Sequence, residues 1–375
     1  VDYKDDAPSD HTILERTDRN ATHVWKEMAP VSVARSANDG LEGYEEKIYF
    51  AGGYTSSNSA TNIFESYDPS NDQWTTLTPM SVSKSAQSAS FYHGKLYVFG
   101  GNDGSTSNVY ASGEVYDLAT QTWTAIANMP YAKASMTAIT YNGLIYCMGG
   151  WTAGVSNTGH VLVYDPLDNS WTQLADMPSP RHGFKLVILD DKIWAIGGSG
   201  SESSYLNIVE SFDPITGLWK TEESMNSERH WPVAWVENNK IFVGGGRNSS
   251  IYQKSIEYYD SEEKLWMESG ELPQNSYGGD SAVINGMVYV ASGSAASGQY
   301  SNKVYAADLL PHRDLYFRSV ASETVNREPT SIFLLGELNI SENQPAGTIV
   351  GEFNATDAEG GAITYQFVSG DNNNS

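Results

Sequence analysis

Cations recur at one position of a repeated pattern in this 375-residue chain. A tryptophan appears about every 48 residues, and ten residues after most of these tryptophans stands an arginine or a lysine. Guanidinium and ammonium groups donate charge-assisted hydrogen bonds to carboxylates and sulfates, so a ring of such residues would form a receptor for an anionic ligand. The cations are Arg35, Lys84, Lys133, Arg181 and Arg229, and Ser276 interrupts the series.

A structural role is the alternative for the same cations. Glutamates recur about 30 residues after four of them, at Glu65, Glu114, Glu210 and Glu257. Ion pairs between the two series would neutralise the cations and leave none of those four for a ligand. In the third copy Leu162 stands where the glutamate is expected.

The later copies add aromatic and titratable side chains to the cations. Arg181 is followed by His182, and Arg229 by His230 and Trp231. A sugar ring stacks on tryptophan, and a sugar acid would also use the arginines. Trp231 has a structural alternative as a plug that covers the core. We expect a basic, aromatic sector formed by Trp151, Arg181, His182, Arg229, His230, Trp231 and Tyr277.

Short strands must position these side chains. Apolar or aromatic runs such as KLYVFGG stop at Gly-Gly pairs, which is typical of β-strands. An aromatic-Asp step and then the periodic tryptophan follow each of the first five pairs, whereas the last pair is followed by Ala307-Asp308 and no tryptophan. Each copy therefore predicts four strands, named a to d in chain order. The pairs are Gly52-Gly53, Gly100-Gly101, Gly149-Gly150, Gly197-Gly198, Gly245-Gly246 and the degenerate Ser292-Gly293.

A strand ending in Gly-Gly, then Tyr-Asp, then Trp, at this period, resembles the kelch repeat. The resemblance covers residues 23–310 and implies an all-β, six-bladed propeller, in which four-stranded sheets bury their faces by radial packing. Trp25 precedes any first strand. We therefore expect the segment from His23 to Ala29 to supply strand d of the last blade, which leaves no open sheet edge.

One face of such a propeller carries the long connections between strands b and c, and we call it the loop face. Loops on a rigid scaffold are where binding residues usually lie, so the ligand-binding side chains are predicted here. The loops are residues 54–62, 102–113, 151–160, 199–207, 247–254 and 294–302.

The repeat stops after residue 310. Residues 1–22 are an N-terminal tail, 311–338 a linker, and 339–375 resemble the start of a cadherin-like domain, with Ser341-Glu342-Asn343 and Ala355-Thr356-Asp357. The resemblance implies calcium ligands at Glu342, Asp357 and Glu359, although Glu359 replaces an Asp; surface carboxylates without metal are the alternative. It also implies further cadherin-like domains after residue 375.

Composition excludes several classes of partner. The net charge of -24 disfavours nucleic acid and anionic membrane surfaces, and no apolar run is long enough to span a membrane. Cys147 is the only cysteine, so no disulfide forms within the chain. Its place in a strand predicts a core thiol, which argues against a copper radical oxidase, because that class of kelch enzyme uses a Cys-Tyr cross-link.

The favoured interpretation is a non-catalytic recognition or adhesion module without a cofactor in the propeller, secreted or on the cell surface, that binds a protein or an acidic glycan. The alternative is a sugar-acid mutarotase, since six-bladed kelch propellers that act on sialic acid are similar to this chain. In that case Arg229 would clamp the carboxylate, Glu228 and His230 would serve as general acid or base, and His182 would be the second proton carrier.

Overall fold

The computed structural model describes residues 22–36, 39–55, 59–200 and 204–309, together with the strands Ser331–Leu335 and Glu352–Thr356. The first four stretches belong to one compact unit and the two strands to another.

Six four-stranded antiparallel sheets follow one another along the larger unit, each ordered a, b, c, d. Blade 1 comprises Leu41–Tyr44, Lys47–Ala51, Phe64–Asp68 and Gln73–Thr76, and blade 2 comprises Ser88–Tyr92, Lys95–Phe99, Gly113–Asp117 and Thr122–Ile126. Blade 3 comprises Thr137–Tyr141, Leu144–Met148, Val161–Asp165 and Ser170–Leu174, and blade 4 comprises Lys185–Leu189, Lys192–Ile196, Val209–Asp213 and Leu218–Thr221. Blade 5 comprises Val233–Glu237, Lys240–Gly244, Ser255–Asp260 and Leu265–Glu271, and blade 6 comprises Asp280–Ile284, Met287–Ala291, Val304–Asp308 and, from the N-terminal end, Lys26–Met28. Two-residue and three-residue strands pair at the loop face: Arg35–Ser36 with Tyr54–Thr55, Trp151–Thr152 with Val155–Asn157, and Ser294–Ala296 with Gln299–Tyr300.

The six sheets close into a ring. Each strand a contacts the strand a of the next blade, and the strand a of blade 6 contacts that of blade 1. Apolar side chains fill the spaces between neighbouring sheets, as where Phe64 of blade 1 packs with Leu96 and Tyr116 of blade 2. The prediction of an all-β, six-bladed propeller is therefore confirmed for the larger unit. Cys147 lies fully buried in strand b of blade 3, as expected.

The periodic tryptophans join neighbouring blades. The indole of Trp171 in blade 3 donates a hydrogen bond to the carbonyl of Ala127, just after strand d of blade 2, at 3.0 Å. Four further tryptophans make the same bond at 2.8 to 3.3 Å: Trp74 to Ala29, Trp123 to Thr78, Trp219 to Ala175 and Trp266 to Glu223. The period thus records a contact that five of the six blades make with the preceding one, whereas Nε1 of Trp25 in blade 6 has no acceptor among the described residues.

The Gly-Gly pairs join blades in the opposite direction. Gly101 donates its N–H to the carbonyl of Lys133 in the next blade at 2.8 Å. Gly100 has φ 60°, and a Cβ there would collide with the same carbonyl oxygen, so glycine is required on both conformational and steric grounds. At the last interface Gly293 donates to Arg35 of blade 1 at 3.1 Å, which completes the ring.

The N-terminal segment closes blade 6, as predicted. Lys26–Met28 pairs antiparallel with Val304–Asp308, and Lys26 lies opposite Ala306. Upstream of this strand, the His23 Nε2 lies 3.1 Å from both carboxylate oxygens of Glu237 in blade 5. Both side chains are buried. The histidine therefore holds the closing segment against a second blade.

Replacement of His23 by alanine tests this closure. The Glu237 carboxylate would lose a buried hydrogen-bond partner, which costs roughly 1–3 kcal/mol or more when the group is charged. We expect the urea midpoint, followed by tryptophan fluorescence, to fall accordingly. His93→Asn, at an exposed turn position with φ 46°, is the matched control and should leave the midpoint unchanged. An unaltered midpoint in His23→Ala would contradict a structural role for this contact.

The second unit contains one described strand pair. Ser331–Leu335 pairs antiparallel with Glu352–Thr356, with Ser331 opposite Thr356. The segment interpreted as a linker, residues 311–338, therefore includes a strand. The three calcium-ligand candidates, Glu342, Asp357 and Glu359, lie outside the described residues, and the cadherin-like resemblance stays a prediction.

Candidate functional site

The three predicted arginines lie inside the propeller and do not face the solvent at the loop face. Their exposed fractions are 0% to 1%. Each pairs with the glutamate on strand c of its own blade: Arg35 with Glu65 at 2.8 Å, Arg181 with Glu210 at 2.7 Å and Arg229 with Glu257 at 2.9 Å. These contacts match the structural alternative, because a guanidinium already engaged inside a blade is not available to a ligand at the surface.

The two predicted lysines are also buried. Lys84 Nζ donates to the carbonyl of Ser112 at 3.0 Å. Lys133 Nζ donates to the Thr158 hydroxyl and lies 3.4 Å from Nδ1 of His160, since blade 3 lacks the glutamate. Burial lowers the pKa of each lysine to about 8. The prediction that these cations form a ring of positive charge at the loop face is therefore wrong, because their long side chains turn back into the blades.

Two other series of residues meet at the loop face. The residue after each cation position forms a backbone bridge with the residue after the Gly-Gly pair of the same blade, as His230 does with Arg247 and Tyr277 with Ser294. Apart from Trp151, sequence reasoning missed the second series, although its signal was present: the residue directly after each pair is of five types in six copies. These residues are Tyr54, Asn102, Trp151, Ser199, Arg247 and Ser294.

The two predicted histidines are brought together. The rings of His182 and His230 lie 4.8 Å apart in an edge-to-face arrangement, and His182 Nδ1 is 2.8 Å from Asn157 Oδ1. Burial lowers the pKa of His182 to about 4. Burial, with the charges of His182 and Arg247 next in importance, also lowers the pKa of His230 well below its usual value. Both rings are therefore neutral at pH 7.

The residues proposed for a carboxylate clamp do not converge. Glu228 is exposed, whereas Arg229 is buried against Glu257. Trp151 is half-buried, and its indole donates to the Ser135 hydroxyl at 3.0 Å. The mutarotase arrangement expected from Arg229, Glu228 and the histidines is thus not formed by these side chains.

A belt of backbone hydrogen bonds surrounds the axis at the loop face, and we call it the collar. Its described members stand two positions after the cation positions of blades 2 to 6, and the N–H of each member after the first donates to the carbonyl of the previous one at 2.7 to 3.1 Å. All described members have φ between 52° and 67°, where glycine or a small residue is favoured. They are Ala86, Ser135, Gly183, Trp231 and Gly278. Trp231 is the one bulky member among them.

A cavity of about 440 Å³ opens beside the collar and extends over blades 5, 6, 1 and 2. Of the predicted site residues, Trp231 and Tyr277 line this cavity. The predicted basic, aromatic sector lies in blades 3 to 6, so the cavity overlaps it only in blades 5 and 6. The other aromatic walls are Tyr54, Tyr252 and Tyr300, and the remaining lining residues are Ser36, Ser85, Ala86, Asn102, Gly104, Thr106, Ser294, Ser297 and Gly298. None of these lining side chains carries a carboxylate, an amine, a guanidinium or an imidazole.

Arg247 lies close to this cavity without lining it. Its guanidinium is 5.2 Å from the ring centroid of Tyr252 and 5.8 Å from that of Tyr205. No carboxylate among the described residues forms an ion pair with it. Cation–π contacts of this kind contribute about 0.5–2 kcal/mol each, so the tyrosines hold the guanidinium at the cavity's outer wall.

A buried charged cluster lies near the loop-face ends of the innermost strands, and we call it the axial cluster. It comprises Asp39, Glu42, Lys185 and Asp280. Lys185 Nζ lies 2.5 Å from Asp280 Oδ1 and 3.0 Å from Asp39 Oδ1. The Asp39 carboxylate also accepts from the backbone N–H of Ala138 in blade 3 at 3.0 Å, so the cluster connects blades 1, 3, 4 and 6.

Two classes of feature are absent from the part of the chain that the structure describes. No group of three or more His, Cys, Asp or Glu side chains there is arranged to hold a metal ion. No helix there has the length and hydropathy to cross a membrane.

Comparisons with known proteins agree with this architecture. A sequence profile described as the KLHDC2/KLHL20/DRC7 Kelch-repeats domain matches residues 40–246, which is more than half of the chain, and a Kelch motif profile matches residues 238–273. A solved structure titled "Structure of YjhT" has 18% identity, covers 74% of this chain and 95% of its own, and superposes with a TM-score of 0.67, which shows a shared fold. No protein of curated function matches the sequence at a significant level. The chain belongs to the KLHDC2/KLHL20/DRC7 Kelch-repeats domain family.

Proposed function

We propose that the propeller is a non-catalytic recognition module that binds a protein or glycan partner at its loop face. The observation that carries this proposal is the cavity of about 440 Å³ with aromatic walls and uncharged polar groups. Its volume lies within the range of roughly 300–1,000 Å³ that is typical of ligand sites. Rigid aromatic side chains around a few fixed polar groups are suited to recognition.

The chemistry of the cavity favours binding over catalysis. An enzyme of the mutarotase type needs a general acid and a general base with matched pKa values. The titratable lining groups are tyrosines, and burial raises the pKa of Tyr277, which keeps this phenol protonated at neutral pH. The neighbouring His182 is half-buried and His230 is buried, and both have a pKa well below 7, so neither is poised to exchange protons with a ligand.

The proposal includes an extracellular setting. A secreted or surface-attached protein would place the propeller on a stalk of cadherin-like domains, with calcium bound by Glu342, Asp357 and Glu359. This part rests on the resemblance of residues 339–375 to the start of such a domain. An acidic partner would meet Arg247, which was not among the predicted cations, because the predicted ones are internal.

Substitution of two wall residues tests the location of the binding surface. Tyr252→Ala with Tyr277→Ala removes two adjacent rings whose centroids are 5.4 Å apart. We expect the fluorescence signal of the labelled protein on a printed array of glycans and peptides to fall at least about tenfold, as for loss of an interface anchor. Leu167→Ala, at an 81%-exposed position in a c-to-d turn on the opposite face, is the control and should retain the signal.

Two results would contradict the proposal. An array signal that survives the double substitution would locate binding outside the cavity. Faster anomer exchange of N-acetylneuraminic acid in the presence of the protein, measured by NMR, would show catalysis and favour the mutarotase alternative.

A further inference from the structure

Trp231 occupies a backbone position that is unfavourable for its side chain. Its φ is 52°, and the other described members of the collar are Ala, Ser and two Gly residues with similar φ. A bulky residue in this region of φ is strained and persists where the surrounding structure holds it, most often at functional sites. The strain motivates a role for the side chain, because glycine would form the same collar without it.

The indole of Trp231 also carries an unused donor. The side chain is 8% exposed and lines the cavity. Among the described residues, none accepts a hydrogen bond from its Nε1, whereas five of the periodic tryptophans and Trp151 have acceptors for theirs. This N–H has no acceptor in the part of the chain described yet stays accessible from the cavity, so a ligand that enters the cavity is a candidate acceptor.

Asn102 presents a second oriented donor to the same cavity. Its Oδ1 accepts from the Ser85 hydroxyl at 2.6 Å and from the backbone N–H of Gly104 at 3.0 Å. These two bonds fix the amide, and no acceptor for its Nδ2 is present in the described part of the chain. Asn102 is 6% exposed and lines the cavity. The phenols of Tyr54, Tyr252 and Tyr300 add hydroxyl groups around it.

We infer that the cavity binds one neutral sugar ring of a glycan, which stacks on Trp231 and accepts or donates hydrogen bonds at Asn102 and the wall tyrosines. This inference rests on the proposed function of the loop face. Aromatic surface suits the apolar C–H face of a pyranose, and amide and hydroxyl groups suit its ring hydroxyls. No charge is needed for either contact.

The absence of charge among the described lining residues separates this ligand class from others. A sugar acid would require a cation, but Arg247 is held between two tyrosine rings outside the lining, and the chain has a net charge of -24. A folded protein partner would cover about 800 Å² of surface, which a concave site of this volume does not offer. A neutral saccharide satisfies the donors and the stacking surface together.

The test uses Trp231→Gly and a panel of probes. The probes are the methyl glycosides of glucose, galactose, mannose and N-acetylglucosamine, with N-acetylneuraminic acid and glucuronic acid as charged comparators, in saturation-transfer NMR and calorimetry. Glycine is already present at two collar positions, so Trp231→Gly keeps the collar backbone; the relief of strain opposes the packing lost with the indole, and circular dichroism checks that the variant is folded. We expect the Kd for the bound neutral glycoside to rise at least about tenfold.

Two variants sharpen the assignment. Ser135→Gly makes the same backbone change in blade 3, away from the cavity lining, and should leave the Kd unchanged. Asn102→Asp keeps the acceptor for Ser85 and Gly104 but replaces the Nδ2 donor, and should also raise the Kd at least about tenfold, since a hydrogen bond to the sugar is lost.

Each remaining outcome overturns the inference in a recognisable way. Wild-type affinity in Trp231→Gly would remove the stacking role. Tighter binding of the acids, abolished by Arg247→Gln, would replace the neutral class with an acidic one. If only peptides on the array bind and Trp231→Gly weakens them, the sugar assignment fails while recognition at the loop face stands. If the loop-face tyrosine substitutions change no binding at all, the proposed function fails first.

Discussion

Replacement of Lys185 by methionine is expected to lower the free energy of unfolding by about 3–5 kcal/mol, because removal of one partner from a buried ion pair leaves uncompensated charge. The Lys185 ammonium is the one cation within the axial cluster, and it contacts Asp39 and Asp280. Urea unfolding followed by tryptophan fluorescence measures the loss. Lys220→Met, at a 66%-exposed side chain paired with Glu222, is the matched control and should change stability by less than about 1 kcal/mol.

The pH dependence of the same variant is informative. Burial raises the pKa of Asp39 to about 7 in the folded protein, and burial likewise raises the pKa of Glu42 well above its usual value, because one lysine cannot compensate three carboxylates. A folded pKa above the unfolded value means that the folded state binds the proton more tightly. The stability contributed by protonated Asp39 is therefore fully present below about pH 4 and is lost as pH rises through about 7.

Removal of Lys185 should strengthen this trend, because its positive charge lowers the pKa of Asp39 against the effect of burial. We expect the deficit of Lys185→Met to be smaller at pH 5, where the carboxyl groups can be protonated, than at pH 8. An equal deficit at both pH values would argue that the lysine contributes packing and not charge compensation.

The second large effect is expected at the buried cation of blade 5. Arg229→Met should lower the free energy of unfolding by about 3–5 kcal/mol, since Glu257 would remain buried without its partner. Arg229 also donates to the carbonyls of Gly245 at 2.6 Å and Ser255 at 2.9 Å, which connect strands b and c. Lys254→Met, in a pair with Glu271 whose side chains are 47% and 57% exposed, is the control with little expected change.

A double substitution separates the ion pair from these carbonyl contacts. Arg229→Met with Glu257→Leu removes both charges, and replacement of a buried pair by apolar residues is often neutral or stabilising. We expect partial recovery of the stability lost in the single variant. A stable Arg229→Met protein that has lost ligand capture on the array would instead favour the anion-receptor interpretation of this position.

Much of the fold can be predicted because the repeated residues make the same contact between neighbouring blades. The bond from Gly101 to the Lys133 carbonyl and the bond from Trp171 to the Ala127 carbonyl recur at corresponding positions of almost every blade. Each copy must therefore keep the same residue at the same place. The period of the sequence is a direct record of these inter-blade contacts.

The direction of the cations could not be predicted in the same way. Arg181 sits at the loop-face end of blade 4, yet its guanidinium reaches back to the carbonyl of Ile208 at 3.0 Å and to Glu210 at 2.7 Å. A long side chain can turn towards solvent or towards its own sheet, and periodicity is identical in the two cases. Only the positions of the acceptors decide between them.

The number of blades, their strands and the closure by the segment around Trp25 follow from the amino-acid pattern, because they depend on contacts that repeat in almost every copy. The tertiary structure alone decided the site. Tyr54 and Tyr300 stand at nearly opposite ends of the propeller sequence. Closure of the propeller brings the centroids of their aromatic rings to 5.9 Å from each other. The cavity forms where the loops of blades 5, 6, 1 and 2 meet, and these loops differ in sequence. A contact between different residues that are far apart in the chain produces no periodic pattern, so the sequence does not reveal it.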